Sequence, residues 1–117
     1  MKFDEEMLYH FKVNVIGNIH LMHVFTPLIK SGDIKKVVVL SSGFGDTELT
    51  VEAGIKMQTP YSVSKAALNM AVAKFHVQYK DEGILFMLIS PGLVDTGGYD
   101  GFESQLSIYP KVTLMNA

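Results

Sequence analysis

The feature that most restricts the fold is a pair of short apolar runs, Val37-Val38-Val39-Leu40 and Ile84-Leu85-Phe86-Met87-Leu88-Ile89, neither of which alternates with polar residues. A strand with one wet face alternates, so a run that does not is expected to be covered on both faces, as in a parallel sheet. Between the two runs lies a helical stretch, opened by Thr59-Pro60, rich in Ala and stopped at Glu82-Gly83. Thr can cap the free amides of a first turn, and Pro at the first helical position gives up no hydrogen bond. Strand, helix and strand in this order make the right-handed crossover that joins parallel strands. The expected class is α/β, a partial Rossmann-like doubly wound parallel sheet.

Ahead of the first run, Leu8, Phe11, Val15, Ile19, Met22 and Phe25 recur at steps of three and four, which places them on one side of a long helix from about Asp4 to Ile29. Ser31-Gly32 is expected to close it, Gly taking the left-handed conformation that ends helices. From Gly43 to Thr59 no period is sustained, and the Gly-Phe-Gly-Asp-Thr start reads as a surface loop. Helix, strand, helix, strand is thus the order, and two strands seldom make a stable open sheet. The architecture is expected to be incomplete at the N-terminus and again after Tyr99, where regular patterning fades.

Composition narrows the function. With 117 residues, 48% of them apolar, one packed domain over 1–117 is the expectation. Ten basic and twelve acidic residues are scattered along the chain, for a net charge of −2, which argues against nucleic acid as a partner. There is no Cys, which excludes disulfides and thiolate metal sites and fits a reducing, cytoplasmic setting. The apolar runs are far shorter than a membrane span, so no membrane partner is expected. His20 and His23 share a helix, but no carboxylate or thiolate is arranged to complete a metal site with them. Nor does a nucleophile elbow surround Ser42 to make a hydrolase triad with His76. The seven Met residues read as core filler.

One pairing carries chemistry. Tyr61 and Lys65 are four residues apart at the start of the second helix, so they project from one face about a turn from each other. A fixed ammonium favours phenolate and draws the phenol's pKa down from about 10, toward the range where it can exchange protons near neutrality. Ser41 and Ser42 end the first strand, and open parallel sheets place ligands beyond the carboxyl ends of their strands. Either hydroxyl could hold a substrate oxygen there. The Ser90-Pro91-Gly92 turn ends the second strand at the same rim.

Taken together, these segments resemble the short-chain dehydrogenase/reductase family from about Phe11 to Thr96. Val13-Asn14-Val15-Ile16-Gly17 is similar to the family's Asn-containing helix motif, and Val37 to Ser42 to the strand that ends in its active Ser. Tyr61-Ser62-Val63-Ser64-Lys65-Ala66-Ala67-Leu68 matches the family signature almost letter for letter, and Pro91-Gly92-Leu93-Val94-Asp95-Thr96 resembles the turn that lies against the nicotinamide.

The resemblance implies an NAD(P)-dependent oxidoreductase that interconverts a small-molecule carbonyl and an alcohol, with NADP somewhat favoured. By the same resemblance Tyr61 exchanges the proton and Ser42 polarises the substrate oxygen. Lys65 lowers the Tyr61 pKa and holds the nicotinamide ribose, while Asn14 holds a water in the relay. Pro91, Gly92, Val94 and Thr96 contact the nicotinamide. On the residues alone, Asn14 could be a buried amide bonded to backbone, and Gly17 a residue that lets the helix approach the sheet. The family's two long helices commonly form subunit interfaces, which implies a homo-oligomer.

Two features depart from the family pattern. The Gly-rich turn that cradles a pyrophosphate on backbone amides is missing, and Gly43-Phe44-Gly45 is no substitute, since neither a third Gly nor an immediate helix completes it. Tyr61 follows Ser42 by nineteen positions, longer than the family's usual interval, so the intervening loop holds extra residues. The alternative to catalysis is a non-catalytic protein that acts through oligomerisation.

Overall fold

The computed structural model describes residues 2–92. Two parallel strands, β1 (Lys36–Leu40) and β2 (Leu85–Ile89), pair in the register Lys36↔Leu85 to Leu40↔Ile89. The ladder runs on past Leu40, because the Ser41 amide donates to the Ile89 carbonyl at 2.8 Å. Helix α4 (Thr59–Tyr79) connects the strands. Its buried residues Ser64, Leu68, Val72 and His76 are spaced four apart and form one stripe.

The N-terminal helical segment has a break that the heptad-like periodicity conceals. It consists of α1 (Lys2–His10), a π-helical segment (Phe11–Ile16) and α2 (Gly17–Lys30), in place of one uniform helix from Asp4 to Ile29. Across the π segment the Gly17 amide donates to the Lys12 carbonyl, five residues back. One such turn shifts the helical register, and of the apolar residues expected on one face only Val15 and Met22 are buried and Ile19 partly so, while Leu8, Phe11 and Phe25 are exposed.

Met22 of α2, Val39 of β1, Leu68 and Val72 of α4, Phe86 and Leu88 of β2, and Ile84 just ahead of β2 form the core, with Ile19, Ile29, Val37, Phe75 and Tyr79 packed around them. Phe86 is fully buried, its ring 5.7 Å from Phe75 and 6.1 Å from Tyr79. At the far end of the sheet, His76 accepts a hydrogen bond from the Phe86 amide through Nδ1. His76 Nε2 is buried with no hydrogen-bond partner among the described residues.

Four expectations need correction. The segment 43–59 is more than loop: a 3₁₀ turn (Gly43–Gly45) is followed by α3 (Thr47–Ala53). Asp46 caps α3 through Oδ1, which accepts from the Leu49 amide at 3.1 Å, and seven residues are too few to show a period. Thr59 does not cap α4. It is the first helical residue, preceded by Gln58 in a left-handed conformation (φ 63°) with no side-chain cap bond. Gly32 does not take the left-handed conformation, and α2 ends through Ser31 and Gly32 amides donated to the Pro27 and Ile29 carbonyls. Gly83, by contrast, does stop its helical stretch at φ 83°. Finally, β1 is covered on one face only among the described residues: Val39 is buried, but Val38 and Leu40 are exposed. Apolar residues on both faces mark a strand suited to two covering layers, and the described helices pack against one.

Candidate active site

The site is built where β1, the 3₁₀ turn and the start of α4 meet. Tyr61 and Lys65 lie one turn apart on α4, and the Lys65 ammonium is 5.6 Å from the centre of the Tyr61 ring. Lys65 also donates to the Leu40 carbonyl at 3.2 Å, which ties α4 to the end of β1. Half burial removes water from the ammonium, and this desolvation pulls the Lys65 pKa below its ordinary value.

Among the described residues, two aromatic rings meet Tyr61 edge to face. His10, the last residue of α1, lies 5.9 Å away at an interplanar angle of 79°, and Phe44 of the 3₁₀ turn lies 6.1 Å away at 78°. Such T-shaped contacts restrict a ring beyond simple burial. Neither residue stands out in the sequence, because the contacts arise only when α1 and the turn fold onto α4.

The two candidate serines have different surroundings. Ser41 is buried and its hydroxyl donates to Asn69 Oδ1 on α4, a bond internal to the scaffold. Ser42 caps the 3₁₀ turn, its Oγ accepting from the Phe44 amide at 3.1 Å. A hydroxyl that accepts one bond can still donate its proton to a substrate oxygen. A small cleft of about 40 Å³ opens beside these residues, lined by Ser41, Ser42, Asp46, Asn69 and Ser90 among others. It is large enough to hold water.

Asn14 lies in the π segment. Its Nδ2 donates to Ser64 Oγ at 2.9 Å, and its carbonyl accepts from Asn18 Nδ2 at 2.7 Å. Ser64 in turn donates to the Tyr61 carbonyl at 2.7 Å, so Asn14 is linked through one hydroxyl to the turn of α4 that carries Tyr61. The side-chain amide is thus bonded to the Ser64 hydroxyl, not to backbone as the residues alone suggested. Gly17, the last residue of that helix motif, is not a point of close approach to the sheet: a Cβ there would make an ordinary van der Waals contact with the Lys12 carbonyl oxygen, at 3.5 Å.

Pro91 and Gly92 follow Ser90 at the carboxyl end of β2, and Gly92 has φ 77°, a conformation suited to Gly. Val94 and Thr96 lie outside the described residues. His20 and His23 are both exposed on α2, and no group of three His, Cys, Asp or Glu that could hold a metal occurs among the described residues.

The donor set suits the nicotinamide end of a dinucleotide: a half-buried ammonium beside a phenol, with a Gly-containing turn at the same strand rim. Nothing among the described residues provides a pyrophosphate cradle. Gly43-Phe44-Gly45 has the right composition but not the space, because the α4 backbone fills the place where a Cβ on Gly45 would stand.

An α/β crossover carrying this Tyr-Lys pair defines a class, and comparison with known proteins identifies it. A family model described as short chain dehydrogenase matches residues 2–106, and the chain belongs to that family. A short chain dehydrogenase of Hypocrea virens, virK, is 50% identical over 98 residues, covering 84% of this chain and 36% of that protein. The short-chain dehydrogenase/reductase iacC of Pestalotiopsis fici is 53% identical over 95 residues, covering 81% and 35%. An uncharacterized oxidoreductase of Schizosaccharomyces pombe is 38% identical over 87 residues, covering 74% and 33%. The chain thus spans about a third of the length of the curated relatives it matches. Among the described residues no helix is long and apolar enough to cross a membrane.

Proposed function

We propose that this chain carries the proton-transfer half of an NAD(P)-dependent oxidoreductase that interconverts a small-molecule carbonyl and an alcohol. The observation that carries the reading is the Lys65 ammonium 5.6 Å from the Tyr61 ring, on a helix held against the Ser42 turn. In the reducing direction, Ser42 donates a hydrogen bond to the carbonyl oxygen and Tyr61 delivers the proton to it. The nicotinamide, when bound, supplies the hydride to the carbonyl carbon. Lys65 stabilises the phenolate that remains, and solvent returns the proton through the water that Asn14 helps to hold. Preorganised donors aimed at a developing oxyanion are what carbonyl reduction demands. Lys65 would also hold the nicotinamide ribose, and Pro91, Gly92, Val94 and Thr96 would contact the nicotinamide, with NADP somewhat favoured over NAD. The setting that fits is the cytoplasm, and the assembly a homo-oligomer built on the two long helices.

A second reading has an observation of its own. Leu8, Leu21, Val24 and Leu28 on the N-terminal helices, and Met70 and Val77 on α4, are large apolar residues exposed to solvent. Such faces favour association, and a non-catalytic oligomer-forming protein would present them equally well. One experiment separates the readings: fluorescence titration of the purified chain with NADPH and NADH, alongside a panel of carbonyl substrates and light scattering. Cofactor binding with carbonyl reduction supports the enzyme. Defined oligomers that bind neither nucleotide support the alternative.

A further inference from the structure

We propose that Phe44 and Gly45 act as positioning residues, holding the Tyr61–Lys65 pair in register with Ser42. The inference rests on the catalytic reading of those three residues. Gly45 is not there for its backbone angle, since its φ is not in the left-handed region. What it provides is closeness. A Cβ at Gly45 would lie 2.9 Å from the Ala66 amide nitrogen and 3.0 Å from both the carbonyl carbon and the Cβ of Lys65.

Most of those atoms are helix backbone, which cannot rotate aside as a side chain would. The turn can therefore sit directly on α4 only while position 45 has no side chain. Its other members act at the same place. Ser42 begins the turn, with Oγ bonded to the Phe44 amide, and the Phe44 ring meets Tyr61 edge to face. One three-residue turn thus sets the Ser42 hydroxyl relative to the phenol and ammonium of α4, and an added methyl at position 45 would push the turn, with Ser42 and the Phe44 ring, away from that pair.

The test compares Gly45→Ala with Gly32→Ala, a control far from the site whose Cβ would meet its nearest atom, the Ile29 carbonyl oxygen, at 3.4 Å. Two readouts are taken on the full chain. The first is the ring resonance of Tyr61 by NMR, assigned by its loss in Tyr61→Phe, which requires no turnover. The second is kcat against KM for carbonyl reduction. For Gly45→Ala we expect unchanged far-ultraviolet circular dichroism, a Tyr61 resonance shifted away from its parental position, and kcat lower by roughly tenfold to a hundredfold with KM little changed.

Parental Tyr61 resonances in a folded Gly45→Ala would overturn the proposal, as would parental kcat in an active protein. A shifted resonance in a chain that never turns over would uphold the positioning role and count against the catalytic reading alone. If Gly45→Ala fails to fold, Phe44→Leu decides: a folded variant with a displaced Tyr61 resonance supports the proposal, and one with the parental resonance overturns it.

Discussion

Replacing Lys65 with Met removes the positive charge beside Tyr61 and keeps a side chain of similar length. With Nζ 5.6 Å from the ring, and the ring centre standing in for the phenolate, Coulomb's law gives about 3 kcal/mol at an effective dielectric of 20 and about 0.7 kcal/mol in bulk water. Those limits correspond to roughly 0.5 to 2 pH units in the ionisation of Tyr61. Lys65 is half-buried, so the effective dielectric lies between those limits. A rise of about one pH unit in Lys65→Met is the expected result. Phenolate absorbance in the near ultraviolet measures it, with the Tyr61→Phe titration subtracted to isolate one of the five tyrosines. If Tyr61 ionises at the same pH with and without Lys65, the electrostatic coupling is absent and the proposed acid loses its physical basis.

Other expectations concern stability. Lys65 carries its desolvation cost while protonated: a folded pKa below the unfolded one means the cost is full below the folded value and is relieved as pH rises through it. Urea midpoints of the parent should therefore rise relative to Lys65→Met as pH climbs from neutral toward the lysine range. Phe86→Ala empties the centre of the core and should cost about 3 to 5 kcal/mol in urea unfolding, whereas a loss under about 1 kcal/mol would mean the Phe75–Tyr79–Phe86 cluster is not packed as described. Asp46→Ala removes the cap of α3 and should cost about 1 kcal/mol, with faster amide exchange confined to Thr47–Ala53. Lys30→Met breaks an exposed ion pair with Glu82 and should leave the urea midpoint unchanged.

The parts of this fold that were legible in the sequence are those with long or unbroken signals. Val37–Leu40 and Leu85–Ile89 had no polar alternation to confuse them, and the four-residue spacing of Tyr61 and Lys65 follows directly from helix geometry. The rest depended on tertiary contact. The π segment around Asn14 shifts the helical register, so that Leu8, Phe11 and Phe25 of the apolar stripe are exposed while Val15 and Met22 are buried. Helix α3 rests on one capping Asp and is shorter than any window in which a period could be counted. The Phe44 and His10 contacts with Tyr61 join residues distant in sequence, and no local pattern records them. Gly45 was visible as a glycine, but its reason, the α4 backbone against it, was not. The open face at Val38 and Leu40 could not be foreseen either, since an apolar run specifies that a face wants cover without saying which element supplies it.

The most direct test of the central claim is the reduction of a carbonyl substrate by NADPH, followed by loss of nucleotide absorbance, in parent and Tyr61→Phe chains of equal foldedness. If Tyr61 delivers the proton, the phenylalanine variant should retain nucleotide binding and lose at least about a hundredfold in rate. A Tyr61→Phe chain that reduces the substrate as fast as the parent would contradict the claim.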